Sequence, residues 1–165
     1  MRLSIPETLA IVDLLVPKSD AAGREVTIWP SLKNAIKAWI VCYIDQGAAN
    51  TVDCIPLQTT TVANTGNVDK VLSHDVLISS NLDMALATAF TKETAHTHYV
   101  TDAGVKHKCV VFEIDPNQAM DVNNATPFDC IGMSFGASAA GNITSAFLVI
   151  QPKYAGCPQP DYITD

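Results

Sequence analysis

Charge is scarce in this chain. Only 16% of its 165 residues are Asp, Glu, Lys or Arg, and ten basic against seventeen acidic residues leave a net charge of −7. That balance repels a phosphate backbone, and no local Lys/Arg cluster reverses it, so direct nucleic-acid binding is excluded as an expectation. Long hydrophobic runs are missing as well. The stretch Leu9–Val16 is interrupted by Asp13, is too short to cross a bilayer, and lacks the basic flank and small-residue cleavage pattern of a targeting segment. No membrane partner is expected. The five cysteines, Cys42, Cys54, Cys109, Cys130 and Cys157, include no C-x-x-C pair, so neither a zinc ribbon nor a thioredoxin-type site is spelled out. Buried thiols are the plainer expectation.

What is present is apolar content, 48% of the chain, enough for one full-sized core without a metal, cofactor or disulfide staple. So little charge also leaves part of the surface neutral or apolar, which favours an oligomer or an assembly component. The apolar residues fall in short β-branched or alternating runs, such as those at 37–45, 108–115 and 143–150, each closed by Gly, Asn, Asp or Pro. Such runs are strand signals, and several in one chain of this length predict a mainly all-β, antiparallel β-sandwich.

Along the chain, Pro6, Pro17 and Pro30 interrupt residues 1–34, which read as an N-terminal arm and entry strand. The sandwich domain is expected over 35–151. Its best hairpin joins 36–45 to 51–59 through the loop Gln46-Gly-Ala-Ala-Asn50. A strand is predicted at 71–80. Leu82, Ala85, Leu86 and Ala89 recur at helical spacing behind Ser80-x-x-Asp83, so the one short helix is placed at 82–90. Further strands are expected at 97–101, 105–115, 128–135 and 142–151, the last two paired across the small-residue loop Gly136–Gly141. The segment 152–165, with Pro152, Pro158 and Pro160, reads as an extended C-terminal tail.

Chemical motifs are few. Gly132-Met-Ser134-Phe-Gly136 matches the G-x-S-x-G nucleophile elbow, but no strand-to-helix turn follows and the last histidine, His107, precedes the serine. The match reads as chance. His96-x-His98 could present two imidazoles on one strand face, as in cupin metalloenzymes, with Asp102 and His107 as conceivable further ligands. The second ligand block of a cupin is missing, so a cupin-like metalloenzyme is only a remote alternative. Asn124-Ala-Thr126 and Asn142-Ile-Thr144 fit the glycosylation rule without a secretory signal. No catalytic residue, metal ligand or cofactor is assigned, and the chain is not expected to be an enzyme.

The hairpin carries a geometric expectation. Pairing Asp45 with Thr51 sets Cys42 opposite Cys54, at disulfide distance or as packed thiols. Trp39, Val41, Tyr43, Ile55 and Leu57 then occupy the other face. Both faces are apolar, so one covers the core and the other needs a second layer, from the N-terminal arm or from a neighbouring subunit.

Taken in order, Ile11–Pro17, Ala21–Arg24, Ser31–Asn34, Lys37–Val41, Gln46–Ala49, Asp102–Lys106, Val110–Pro116, Phe128–Ile131, Gly136–Ser138 and Asn142–Ala146 resemble a family of small virion proteins of tailed bacteriophages, associated with decoration, or cement, of the head. The resemblance covers almost the whole chain and carries no catalytic signature. It implies a jelly-roll-like fold and a homo-oligomer, dimer or trimer. It also implies a place on the outside of the head after synthesis in the host cytoplasm, with the major capsid protein as partner. A tail-associated fibre or receptor-binding β module is the alternative. On this reading Leu14, Leu15, Val16, Trp39, Tyr43 and Tyr154 are candidate interface residues, and Cys157 is a candidate intersubunit thiol.

Overall fold

A computed structural model describes residues 8–154 and 161–163. Eleven strands are present among them: β1 Ala10–Ser19, β2 Arg24–Glu25, β3 Ala35–Gln46, β4 Asp53–Thr59, β5 Lys70–Val71, β6 Leu77–Asn81, β7 Thr91–Lys92, β8 Tyr99–Val100, β9 His107–Ile114, β10 Cys130–Phe135 and β11 Asn142–Pro152. A single helical turn, α1, spans Pro116–Ala119. The strands form two antiparallel sheets, a six-stranded one in the order β1-β11-β3-β9-β6-β7 and a five-stranded one in the order β2-β10-β4-β5, with β8 also pairing β4.

From β1 to β4, and again from β9 to β11, the chain changes sheet at every connection. With β1-β11-β3-β9 facing β2-β10-β4-β5, this is the strand order of a double-sheet jelly roll, with β6 and β7 extending one sheet. The all-β sandwich expected from the short runs is what forms. Its interior is the apolar half of each alternation: Ile40, Cys42, Ile44, Val110, Phe112, Leu148 and Ile150 from one sheet, facing Cys54, Ile131, Met133 and Phe135 from the other.

Sheet switching explains where the expected pairings fail. β3 and β4 do not form a hairpin; β3 lies between β11 and β9, and β4 pairs β10. The loop Gln46–Asn50 crosses from one sheet to the other, and Asn142 pins it, accepting from the Ala48 N–H (2.8 Å) and donating to the Asn50 carbonyl (3.0 Å). In the same way β10 and β11, expected to pair across 136–141, sit in opposite sheets. The strand predicted at 71–80 is cut into β5 and β6, which belong to different sheets. A loop length compatible with a hairpin is equally compatible with a short arch between layers, and local sequence does not separate the two.

The helix moves as well. Residues 82–90 make one capped turn, with the Ala87 N–H on the Asp83 carbonyl (3.0 Å) and Asn81 bracketing both ends, but no helix propagates. Leu86 is 86% exposed, so the apolar stripe has nothing to pack against, and a short helix without burial is unstable. The turn that does form, α1, is started by Asp115, whose side chain accepts from the Asn117 N–H, with Pro116 in the first helical turn.

Within the segment read as an N-terminal arm, residues 10–19 belong to the sandwich. β1 lies on β11 as an edge strand, so the sandwich takes in residues from 10 to 152 and not 35 to 151. Its register shifts between Asp13 and Leu15, a bulge that turns two successive residues, Leu14 and Leu15, into the core at 8% exposure each. The C-terminal tail also returns to its own chain. Tyr162 is buried and its carbonyl accepts from the Ser31 N–H (2.7 Å).

Candidate functional site

Chemical groups inside the sandwich are engaged in packing. Cys42 and Cys54 face each other across the two layers, close enough for Cys42 to act on the Cys54 thiol, and Cys42 Sγ lies 4.0 Å from Met133 Sδ. The two cysteines are therefore neighbours, through sheet-on-sheet packing and not through a hairpin. Cys42, Cys54 and Cys109 are thiols without a disulfide. Burial raises the Cys54 thiol well above its usual range, reinforced by Cys42 and by the nearby carboxylates, and burial pushes Cys109 up to about 11. A thiol held protonated is a poor nucleophile and a poor metal ligand. Cys157 lies outside the described residues.

His96 and His98 pack edge to face, ring centroids 4.3 Å apart, and His96 bridges Val76. The other groups weighed with them are elsewhere: Asp102 pairs with Lys108 (2.5 Å) and His107 with Asp45 (3.2 Å). Among the described residues no group of three or more His, Cys, Asp or Glu is placed to hold a metal. Ser134 sits within β10, and the glycine of its motif has a steric duty. A Cβ on Gly132 would stand 2.3 Å from the Trp29 ring and 2.6 Å from Val26 Cγ2. Since Met133 faces Cys42 in the core, Gly132 points outward, and Trp29 lies over it on the outer side of the five-stranded sheet.

Polar residues close the end of the sandwich where loop 46–50 crosses. The fully buried Lys108 ammonium donates to Gln46 Oε1 (2.9 Å), to the Asp102 carbonyl (2.8 Å) and to Asp102 Oδ1, and Thr101 Oγ1 donates to the same Gln46 oxygen (3.0 Å). The Lys108 hydrogen bond holds the Asp102 carboxyl below its usual range. Every group here is partnered, which makes the cluster a structural plug. Asp20 is different: it is fully buried, neither carboxylate oxygen has a hydrogen-bond partner, and burial raises its pKa to about 6 despite Arg24 nearby.

The surface feature that stands out is the outer face of the six-stranded sheet. Alternation sends Trp39, Val41 and Tyr43 of β3 outward, and the register sets beside them Val149, Phe147 and Ser145 of β11 and Glu113, Val111 and Cys109 of β9. Ile11 of β1 and Leu77 of β6 extend the row through Trp39. Ile11 is 61% exposed, Leu77 44%, Tyr43 40% and Phe147 38%. An apolar face of this extent left open marks a contact surface. Two of the sequence-predicted interface residues, Trp39 and Tyr43, lie on it.

A second region lies at the sandwich edge between β1 and β2, a groove of about 520 Å³ of mixed lining, in which Leu14, Leu15, Val16 and Ile28 stand beside Asp13, Lys18, Arg24, Glu25 and Thr27. Arg24 fixes this edge by donating to the carbonyls of Thr144 (2.5 Å) and Val16 (2.7 Å). Val16 is 57% exposed and Ile28 52%, whereas Leu14 and Leu15 are core residues first and reach the groove only marginally. Ile28 had no signal of its own in the sequence. Tyr154 is 69% exposed and follows the end of β11.

No family model matches the sequence, and no curated protein matches it. Among solved structures, one similar chain is a proposed sugar binding protein from Bacteroides thetaiotaomicron, at 10% identity and a TM-score of 0.31. The match covers 78% of this chain and spans 65% of that one, and a likeness at that level carries nothing about what this chain binds.

Proposed function

We propose that this chain is a decoration protein of a tailed-phage head, binding the outside of the assembled shell and stabilising it. The observation that carries the reading is a pair of separate surfaces with exposed apolar residues, the outer sheet face around Trp39 and Tyr43 and the edge groove around Val16 and Ile28, on a domain in which no group of metal-binding side chains is assembled among the described residues. A bridging protein needs at least two contact surfaces, and a rigid sandwich holds them in fixed relation. The resemblance of its strand and turn segments to head-decoration proteins supports a place on the head. Stabilisation follows from mass action, because copies that bind only the assembled shell shift the equilibrium against its rupture.

The test is reconstitution. Heads of the parent phage assembled without this chain are mixed with the purified protein, and bound copies and heat resistance are measured. Saturable binding to the outer surface with a higher rupture temperature is expected. Val16→Asp with Ile28→Asp is expected to abolish binding while leaving the sandwich folded. A cryo-EM map placing the chain in the tail tip or a fibre assigns it to the tail-module alternative instead.

A further inference from the structure

We infer that the buried side chains of Lys108 and Gln46 join covalently: the lysine amine displaces ammonia from the glutamine amide and leaves an isopeptide bond between β9 and β3. The inference stands apart from the decoration reading, because it concerns the chain's own chemistry and is read on the purified protein.

Strand register brings the pair together. Ile44 of β3 lies opposite Lys108 of β9, so Gln46, two residues further on, is the diagonal neighbour of Lys108 on the same inward face. Diagonal neighbours stand about 7–8 Å apart at Cα, a gap that a lysine and a glutamine side chain joined end to end span without moving the backbone. Both side chains are shut away from water, Lys108 at 0% exposure and Gln46 at 1%. Lys108 Nζ is 2.9 Å from Gln46 Oε1. The amide carbon is one carbonyl bond of about 1.23 Å from that oxygen, so it lies at most about 4.1 Å from the nitrogen. Two atoms poised to react stand roughly 3–3.5 Å apart.

Each role in the displacement has a group in place. Asp102 Oδ1, 2.5 Å from Nζ, takes the proton that the ammonium must shed before it has a lone pair. Thr101 Oγ1 donates to Gln46 Oε1 (3.0 Å), where negative charge gathers as the carbonyl is attacked. That hydroxyl also accepts from the Val52 N–H (3.0 Å), which leaves its hydrogen turned toward the glutamine. The leaving nitrogen, Nε2, is held by the carbonyls of Asn50 (2.9 Å) and Asp102 (2.8 Å). On attack the Nζ–Cδ bond forms and the carbonyl π pair moves onto Oε1. One proton of Nζ passes to Nε2, the Cδ–Nε2 bond breaks as the carbonyl re-forms, and ammonia departs. Ammonia collects the proton held by Asp102, so the products are a secondary amide, ammonium and an ionised Asp102.

Burial favours the exchange. A fully buried ammonium carries a standing desolvation cost, whereas the amide that replaces it has no charge. Asp102 is well placed to lose its partner, because its side chain is 57% exposed and water takes over. The same opening gives ammonium its way out. Asp102 is itself a poor acyl group: its carboxyl is held below its usual range by Lys108, and an ionised carboxylate resists attack by an amine. The bond ties β3, which lies between β11 and β9, to β9 at the end where loop 46–50 crosses between the sheets.

The experiment is intact-mass spectrometry of the denatured, purified chain, fresh and after incubation at mildly alkaline pH, followed by tryptic mapping. A species lighter than the 17.6 kDa chain by one ammonia, about 17 Da, is expected. Trypsin should fail to cut at Lys108 and should release one branched peptide carrying both Gln46 and Lys108. Lys108→Arg, which keeps the charge but not the nucleophile, and Gln46→Met, which keeps the length but not the carbonyl, should show neither. Asp102→Asn should slow the appearance of the branched peptide about a hundredfold. Where a variant does not fold, the branched peptide of the wild-type chain decides by itself. A wild-type chain that keeps its full mass through the incubation, with Gln46 and Lys108 found only in linear peptides, overturns the inference. So does a loss of about 18 Da mapping to a Lys108–Asp102 bond, or an equal loss of ammonia from Lys108→Arg.

Discussion

Asp20→Asn is expected to stabilise the protein at neutral pH, against the usual direction for a change at a fully buried residue. Both carboxylate oxygens of Asp20 are buried without a hydrogen-bond partner, and its pKa rises from 3.8 to about 6. Its backbone does the structural work there: the N–H donates to the Asn142 carbonyl (2.9 Å), and its own carbonyl accepts from Gly23 (3.3 Å) and Ser138 (3.0 Å). The substitution leaves those bonds in place. Because the folded pKa is raised, the native state binds more protons than the unfolded chain between about pH 4 and 6, so this group's contribution to stability increases as pH falls through that window and is lost as pH rises. A shift of roughly two units corresponds to about 3 kcal/mol at pH 7.5. Asparagine removes the charge but leaves a buried amide with its own desolvation cost of about 1–2 kcal/mol, so a net gain of about 1–2 kcal/mol is expected. Urea denaturation at pH 7.5, 6.0 and 4.5 reads it out. The variant should lead at pH 7.5 and lose its lead by pH 4.5, where the wild-type carboxyl is protonated. Equal pH dependence in the two proteins, or a less stable variant at pH 7.5, would refute the reasoning.

Gly132→Ala should be among the more damaging small substitutions in the chain, because its Cβ meets the Trp29 ring at 2.3 Å; a loss of about 2–3 kcal/mol is expected, with a shift in tryptophan emission as the ring is displaced. An unchanged denaturation midpoint would mean that Trp29 moves aside freely. For the cysteines, Cys42 and Cys54 are fully buried, with the Cys54 thiol held protonated, so peptide mapping after maleimide labelling should find both modified only once the chain is unfolded. Fast labelling of either in the native protein contradicts the packing described above.

The strand content was legible from sequence because a half-buried strand must alternate, and β3, β9, β10 and β11 all carry that alternation or a β-branched run between turn residues. Which residues of β3 face outward was equally legible: Trp39, Val41 and Tyr43 share one face whatever strand lies beside them. The bulge in β1 was not, since nothing in Asp13-Leu14-Leu15-Val16 announces that two neighbours turn inward, and so Leu14 and Leu15 read as interface residues when they are core. The Asp115-Pro116 start of α1 was available as a capping signal, whereas 82–90 shows helical spacing with no surface to bury it. Strand partners were decided only by tertiary structure. The adjacency of Cys42 and Cys54 follows from side-chain parity, which both a hairpin and a sandwich satisfy, but the arch that brings them together across two layers does not. Local sequence sets the period of each strand and the side on which each residue stands; the choice between pairing beside a strand and packing over it depends on how all the apolar faces can be buried at once. That choice left one sheet covered by Trp29 and, among the described residues, the other open.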